Sequence, residues 1–347
     1  MSRHRLTVVI SQAPGKHPAK RSLEESVAAA LLMEPGIELS IVPNLYDLGP
    51  DHTGRLFLDG VRGDMAIVSW LYPRAAYWLL DRDGIKGQFG ETQLKPPGDE
   101  DEDDTPTDDE PERDKGIGSA GAIPDRHIYC LDLRDFNSAK PYIEEVRRIA
   151  AECKARHEEK EKARATNVPP VLMELGLPSK QVEAASSFPS EQLLAPADRR
   201  WYPVIDYNRC TNCLECLDFC LFGVYGVDAL DRIVTENQDQ CKKGCPACSR
   251  VCPQQAIIFP EYKSAAIAGA NVSDASSGLK IDLSKLFGGE IQDALAMAVK
   301  ERDRELVADG REAVGTAVGL PKRQAGKMHG PKDELDSLVD GLDDLGI

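Results

Sequence analysis

Apolar and polar positions alternate in two distinct rhythms along the first half of the chain. Leu6-Thr-Val-Val-Ile10 is a short apolar run bounded by Ser11-Gln-Ala-Pro-Gly15, the pattern of a buried strand. A helical period follows, with Val27, Ala30, Leu31 and Met33 on one face. Ser22 with Glu25 three residues later predicts its capping box, and Pro35-Gly36 its end. Ile37–Val42 and Asp64–Ser69 read as further strands, Pro73 opens a helix to about Leu80, and His127–Asp132 reads as a fourth strand. Strands alternating with helices predict an α/β domain over residues 1–135, a small parallel sheet with helices.

Ser138, with Pro141 in the first turn, predicts a long helix whose apolar face carries Ile143, Val146, Ile149, Ala150 and Cys153. From Lys154 to Arg164 it becomes almost wholly charged, so that half is expected to project from the core. Residues 136–200 thus read as a charged helix followed by a linker rich in Pro, Ser and Ala. Short strands are expected at Gly223–Asp228, Arg232–Val234 and Ala256–Phe259. Residues 263–347 read as a helical and partly disordered extension. Its one long helix, about Glu290–Asp309, has Ile291, Leu295, Ala298, Val299 and Leu306 on one face.

Charge changes this picture in two places. The net charge is −16, and the segments 99–114 and 333–347 carry −10 and −6 of it, so the rest of the chain is balanced. The first lies in a stretch, about 95–118, with almost nothing apolar to bury, and an acidic disordered insert is expected there. The second carries an apolar stripe, Leu335, Leu338, Val339, Leu342 and Leu345, which predicts docking to a partner through the acidic C-terminal stretch. A basic stripe that would track a phosphate backbone is lacking, so nucleic acid is not an expected partner. No apolar run reaches the length of a membrane span, and a cytoplasmic location is the expectation.

Candidate chemistry concentrates in cysteine. Eight of the ten cysteines form two runs. The first is Cys210-Thr-Asn-Cys213-Leu-Glu-Cys216-Leu-Asp-Phe-Cys220. The second is Cys241-Lys-Lys-Gly-Cys245-Pro-Ala-Cys248-Ser-Arg-Val-Cys252-Pro253. A [4Fe–4S] cube takes four thiolates, and three cysteines within seven residues let one loop wrap three corners, the fourth coming from elsewhere. Structural zinc ordinarily uses two CxxC knuckles a dozen or more residues apart, and disulfides need an oxidising compartment, so both fit less well. Cys130 and Cys153 fall within apolar periodicities of their own and read as packed small hydrophobes.

On these motifs, residues 201–262 resemble a bacterial-type ferredoxin domain with two [4Fe–4S] clusters. The resemblance implies an α+β dicluster ferredoxin-like fold and crossed ligation. Cys210, Cys213, Cys216 and Cys252 would hold one cluster; Cys241, Cys245, Cys248 and Cys220 would hold the other. The chain departs from the family at Leu221, where proline is usual, and by one extra residue between Cys241 and Cys245. Gly244 lies in that longer loop and is expected to absorb it through a positive φ. The expected function is single-electron transfer to or from a redox partner protein, with no catalytic residue of its own. The alternatives are an oxidoreductase subunit whose α/β domain binds a flavin, nucleotide or substrate, and an interaction scaffold with structural clusters.

Three features of the α/β region bear on that choice. Gly15-Lys16 follows the first strand, but Ile10 and His17 stand where a phosphate loop needs Gly and Ser or Thr. Ser69-Trp-Leu-Tyr-Pro-Arg74 lies at the carboxyl end of a strand, where ligands of open α/β sheets gather. Packing of Trp70, Tyr72, Tyr77 and Trp78 explains that stretch more simply, and Arg74 is the residue that discriminates. The six histidines are scattered, and no Ser-His-Asp or zinc-protease constellation emerges.

Overall fold

The computed structural model describes residues 5–94, 116–166, 190–270 and 291–318. Its first part is an all-parallel five-stranded sheet of β1 (Leu6–Ser11), β2 (Ile37–Val42), β3 (Met65–Ser69), β4 (Gln88–Gly90) and β5 (His127–Asp132), in the order β2-β1-β3-β5-β4. β1 and β3 are buried along their whole length, as expected of near-continuous apolar runs covered on both faces. Val8 is paired with Leu39 on one side and Ala66 on the other, and Ile67 with Cys130, which fixes the register through the sheet centre.

Helices cover both faces. On one, α1 (Pro18–Leu31) and α4 (Lys140–Thr166) bury Val27, Leu31, Tyr142, Val146, Ile149 and Cys153 against Val8, Ile10 and Val68. On the other lie α2 (Thr53–Gly60) and α3 (Pro73–Arg82), with Leu58, Ala76 and Leu79 against Val9, Ile67 and Ile128. α1 begins earlier than its sequence suggests. Pro18 occupies the first turn, where its missing N–H costs nothing, and Ser22 lies inside the helix with its carbonyl accepting from Ser26 Oγ at 2.7 Å. Most of residues 154–163 on α4 are exposed, as the charge pattern predicts.

α3 is buried from Arg74 to Asp81, with no solvent face over that span. A helix buried all round needs a second partner besides its sheet. That partner is the cysteine-rich part of the chain. Tyr202, Val204 and Ile258 belong to the same apolar cluster as Val9, Met65 and Trp78. Tyr46 and Tyr202 exchange hydrogen bonds: the Tyr202 N–H donates to Tyr46 Oη at 2.7 Å and the Tyr202 hydroxyl to the Tyr46 carbonyl at 2.9 Å. Trp78 meets the Tyr207 ring edge-on at 5.7 Å. The two regions therefore share a core, where the sequence suggests domains joined by a linker.

The cysteine-rich part is built from very short elements. Strands β6 (Val204–Ile205) and β9 (Ile257–Ile258) pair antiparallel, as do β7 (Tyr225–Val227) and β8 (Ile233–Thr235). After a single turn, α5 (Ser190–Leu193), two five-residue helices, α6 (Glu215–Phe219) and α7 (Ala247–Val251), each follow a cysteine loop. A C-terminal helix, Ile291–Ala308, lies across α7 and buries Ala298 against Phe219, Cys245, Ala247 and Val251. The acidic segments 99–114 and 333–347, and with them the expected disorder and docking, lie outside the described residues. The expected insert is bounded sooner than residue 118, because the N–H groups of Ile117 and Gly118 donate to the carbonyls of Cys210 and Tyr207 at 2.9 and 2.8 Å. Among the described residues no helix is long and apolar enough to cross a membrane.

Candidate metal centres

Each cysteine run wraps a loop, enters a short helix and leaves through a second backbone reversal. Asn212 and Gly244, each just before the second cysteine of its run, have φ of 58° and 86°. Gly244 thus takes the conformation its place in the longer loop requires, one that residues with a Cβ adopt at a cost. Three residues after the last cysteine of each run the backbone turns left-handed again, at Gly223 (φ 70°) and Gln255 (φ 50°). The two runs thus follow the same backbone course: loop, five-residue helix, reversal, strand.

These loops enclose two hollows. One is lined by Cys220, Cys241, Cys245 and Cys248 together with Phe219, Phe222, Val224 and Tyr225. The other is lined by Cys210, Cys213, Cys216 and Cys252 with Ile205, Leu214, Ile233 and Ile257. Each hollow takes three cysteines from one run and one from the other. These are the two sets named above from the resemblance. Electrostatics divides the thiols in the same way. Besides burial, Cys252 raises Cys210 and Cys216, whereas Cys220 raises Cys241, Cys245 and Cys248.

Burial pushes the Cys210 and Cys245 thiols up to about 11, and all eight cysteines are free of disulfides. Backbone N–H groups pull the other way. Those of Phe222, Val224 and Gly223 bear on Cys220, and those of Ala256, Gln254 and Ile257 on Cys252. The Ala256 N–H donates to Cys252 Sγ at 3.3 Å, and the buried Tyr225 hydroxyl donates to Cys248 Sγ at 3.1 Å. Donors aimed at sulfur favour the thiolate, the form a metal binds. Among the described residues no group of three or more His, Cys, Asp or Glu is arranged to hold a metal ion.

Arg74 does not line an open crevice. It crosses from α3 to the cysteine domain, donating to Asp206 Oδ2 at 3.0 Å and to the carbonyls of Gly269 and Gln255 at 3.2 and 3.3 Å. The aromatic residues around it split between packing roles, Trp78 on Tyr207 and Trp70 donating through Nε1 to Glu24 at 2.8 Å. Cys130 and Cys153 are buried among sheet and helix side chains, apart from both hollows.

Sequence reasoning missed three residues at the hollows. Tyr225 was read only as part of a strand, and Glu215 only as part of a motif. Arg302, 1% exposed, reaches the hollow of Cys220, Cys241, Cys245 and Cys248 (the second centre, with that of Cys210, Cys213, Cys216 and Cys252 the first) from the C-terminal helix and stands 4.7 Å over the Phe219 ring. Its signal is in the sequence: it lies four residues from both Ala298 and Leu306, so an arginine interrupts the apolar face. Comparison with protein-family models, curated proteins and solved structures found no match for the chain.

Proposed function

We propose that this chain is an iron–sulfur electron-transfer protein with a dicluster ferredoxin-like domain over about residues 201–262, passing single electrons to or from a redox partner protein. One observation carries the reading: the eight clustered cysteines line two separate hollows, four to each, with one cysteine of each run crossing to the other's hollow. A cube binds one thiolate at each iron, so it calls for four thiolates spread around a space, not gathered at a point. Cys210, Cys213, Cys216 and Cys252 would hold one [4Fe–4S] cluster and Cys220, Cys241, Cys245 and Cys248 the other. When bound, such clusters accept and release one electron at a time.

The remaining residues do what an electron carrier needs of its protein. Ile205, Val224, Tyr225, Ile233, Ile257, Phe259 and Ile267 form a buried apolar shell around the sulfurs that limits water. Backbone N–H groups and the Tyr225 hydroxyl steady negative charge on sulfur. The α/β domain anchors this unit through Arg74, Tyr46 and Trp78.

Anaerobically purified protein is expected to contain about eight iron and eight acid-labile sulfide per chain, with cube-type EPR signals after reduction. One tightly bound zinc with little iron would refute the reading.

A further inference from the structure

The two hollows have unlike walls. Two cationic side chains, Lys242 and Arg302, line the hollow of Cys220, Cys241, Cys245 and Cys248. Among the described residues the one charged side chain lining the other hollow is Glu215, a carboxylate 2% exposed. Lys242 is a third exposed, so water weakens it.

Arg302 is different. Its guanidinium donates to the carbonyls of Val318 and Gly315 at 2.9 and 2.6 Å, which hold it in place without cancelling its charge. Its ionic partner is Asp303, 3.0 Å away and not among the groups lining the hollow. Glu301 is paired with Arg250 at 3.0 Å and Glu305 with Arg304 at 2.8 Å, while Arg74 is paired with Asp206 at 3.0 Å and Arg311, at the surface, donates to the Leu221 carbonyl at 3.0 Å. A buried positive charge beside an electron acceptor stabilises the state that holds the extra electron, and does so more strongly than an exposed one.

We propose that Arg302 raises the reduction potential of the centre formed by Cys220, Cys241, Cys245 and Cys248 above that of its neighbour. This inference rests on the proposed function. An electron supplied by a one-electron donor protein then comes to rest preferentially beneath the C-terminal helix, and the chain carries a built-in direction from the Glu215 side to the Arg302 side.

Potentiometric titration with dithionite, read by EPR on the full chain, tests this. Cys213→Ser and Cys220→Ser identify which signal belongs to which centre. Arg302→Gln should lower the reduction constant of the second centre about tenfold, 59 mV for a one-electron couple, and leave the first in place. Arg302→Lys should stay near the parent value. Asp303→Asn, which removes the counter-charge while its carbonyl oxygen still accepts from the Gly315 N–H, should move the second centre upward. Equal shifts at both centres, or none, in Arg302→Gln would overturn the inference. If that variant fails to load iron, Asp303→Asn decides alone, and an unchanged or lowered second potential overturns it. A parent chain without iron refutes the proposed function itself. A parent chain with about eight iron and potentials indifferent to Arg302 and Asp303 refutes only this inference.

Discussion

In the α/β domain, β1 and β3 are six and five residues long and buried throughout, and helices cover both faces of the sheet. In the cysteine domain no strand exceeds three residues and α6 and α7 are five residues each. Two-stranded ribbons and single-turn helices are marginal on their own in water. Among the described residues, all four non-glycine positions with positive φ, Asn212, Leu214, Asp231 and Gln255, belong to this domain. Such conformations cost on the order of 1 kcal/mol each for residues with a Cβ. One region is held by long elements buried on apolar faces; the other has a smaller apolar core of short elements, which the proposed clusters would add to at its two hollows.

The largest effect expected from that contrast is on removal of iron. If metal binding supplies the folding free energy of the cysteine domain, an iron chelator under reducing conditions should abolish amide protection across residues 201–262. β1, β3 and β5 should stay protected. Hydrogen exchange read by mass spectrometry checks this, and protection that persists through 210–252 in iron-free protein would show that the loops hold themselves.

A smaller but sharper effect separates the two hollows. Cys220→Ser and Cys213→Ser alter the same run, yet their thiols line different hollows. Each variant should lose about four iron, from different centres, and the two should change different EPR signals. Loss of the same signal in both would mean that each run binds its own cluster.

How far the chain could be read in advance follows the same division. β1, β2, β3 and β5 were legible because apolar runs flanked by turn residues admit few other readings. β4 was not: three residues at a sheet edge, with Gln88 and Phe89 exposed, carry no period. α2 was missed for a related reason, since it is eight residues long with only Gly54 and Leu58 buried. Ser22 and Glu25 satisfied a capping pattern, but Pro18 outranked it because proline's fixed φ suits the first turn. The spacing of the cysteine runs alone carries the expectation of iron–sulfur chemistry. The crossing between them came from the resemblance, because sequence distance does not say which loop closes over which. The shared core between the domains left only an indirect trace, in the aromatic residues around Arg74, whose partners Tyr207 and Asp206 lie some 130 residues further on.

That contact sets the third prediction. Arg74 is 8% exposed and Asp206 2%, and the pair joins α3 to the loop that begins the first cysteine run. Burial alone raises the Asp206 carboxyl and lowers the Arg74 guanidinium, and each charge offsets the penalty on the other. Arg74→Ala leaves the buried carboxylate with Arg209, 3.6 Å away, as its ionic partner and should cost about 1–3 kcal/mol in denaturant unfolding. Arg74→Ala with Asp206→Ala should cost less than Arg74→Ala alone. If the double variant is no more stable, the two charges are not coupled and the docking rests on Tyr46, Tyr202 and Trp78.

The smallest effect belongs to the two cysteines outside the hollows, and it asks whether the division between the regions is complete. Cys130 is 1% exposed in β5, and burial pushes its thiol far above the ordinary range. Cys153 is buried on α4, with its Sγ accepting from Arg156 Nη2 at 3.1 Å and burial pushing its thiol up to about 12. Neither lines a hollow, so neither is placed beside the other sulfur positions that a cluster would need. Cys130→Ala removes one small buried group and should cost about 1 kcal/mol, the scale of a buried methylene. Cys153→Ser keeps an acceptor for Arg156 and should cost no more. Iron and sulfide per chain should be unchanged in both, measured beside the parent protein. A loss of about four iron from either would place one of these sulfurs at a cluster and remove the distinction between a domain held by apolar burial and one proposed to be held by its metal.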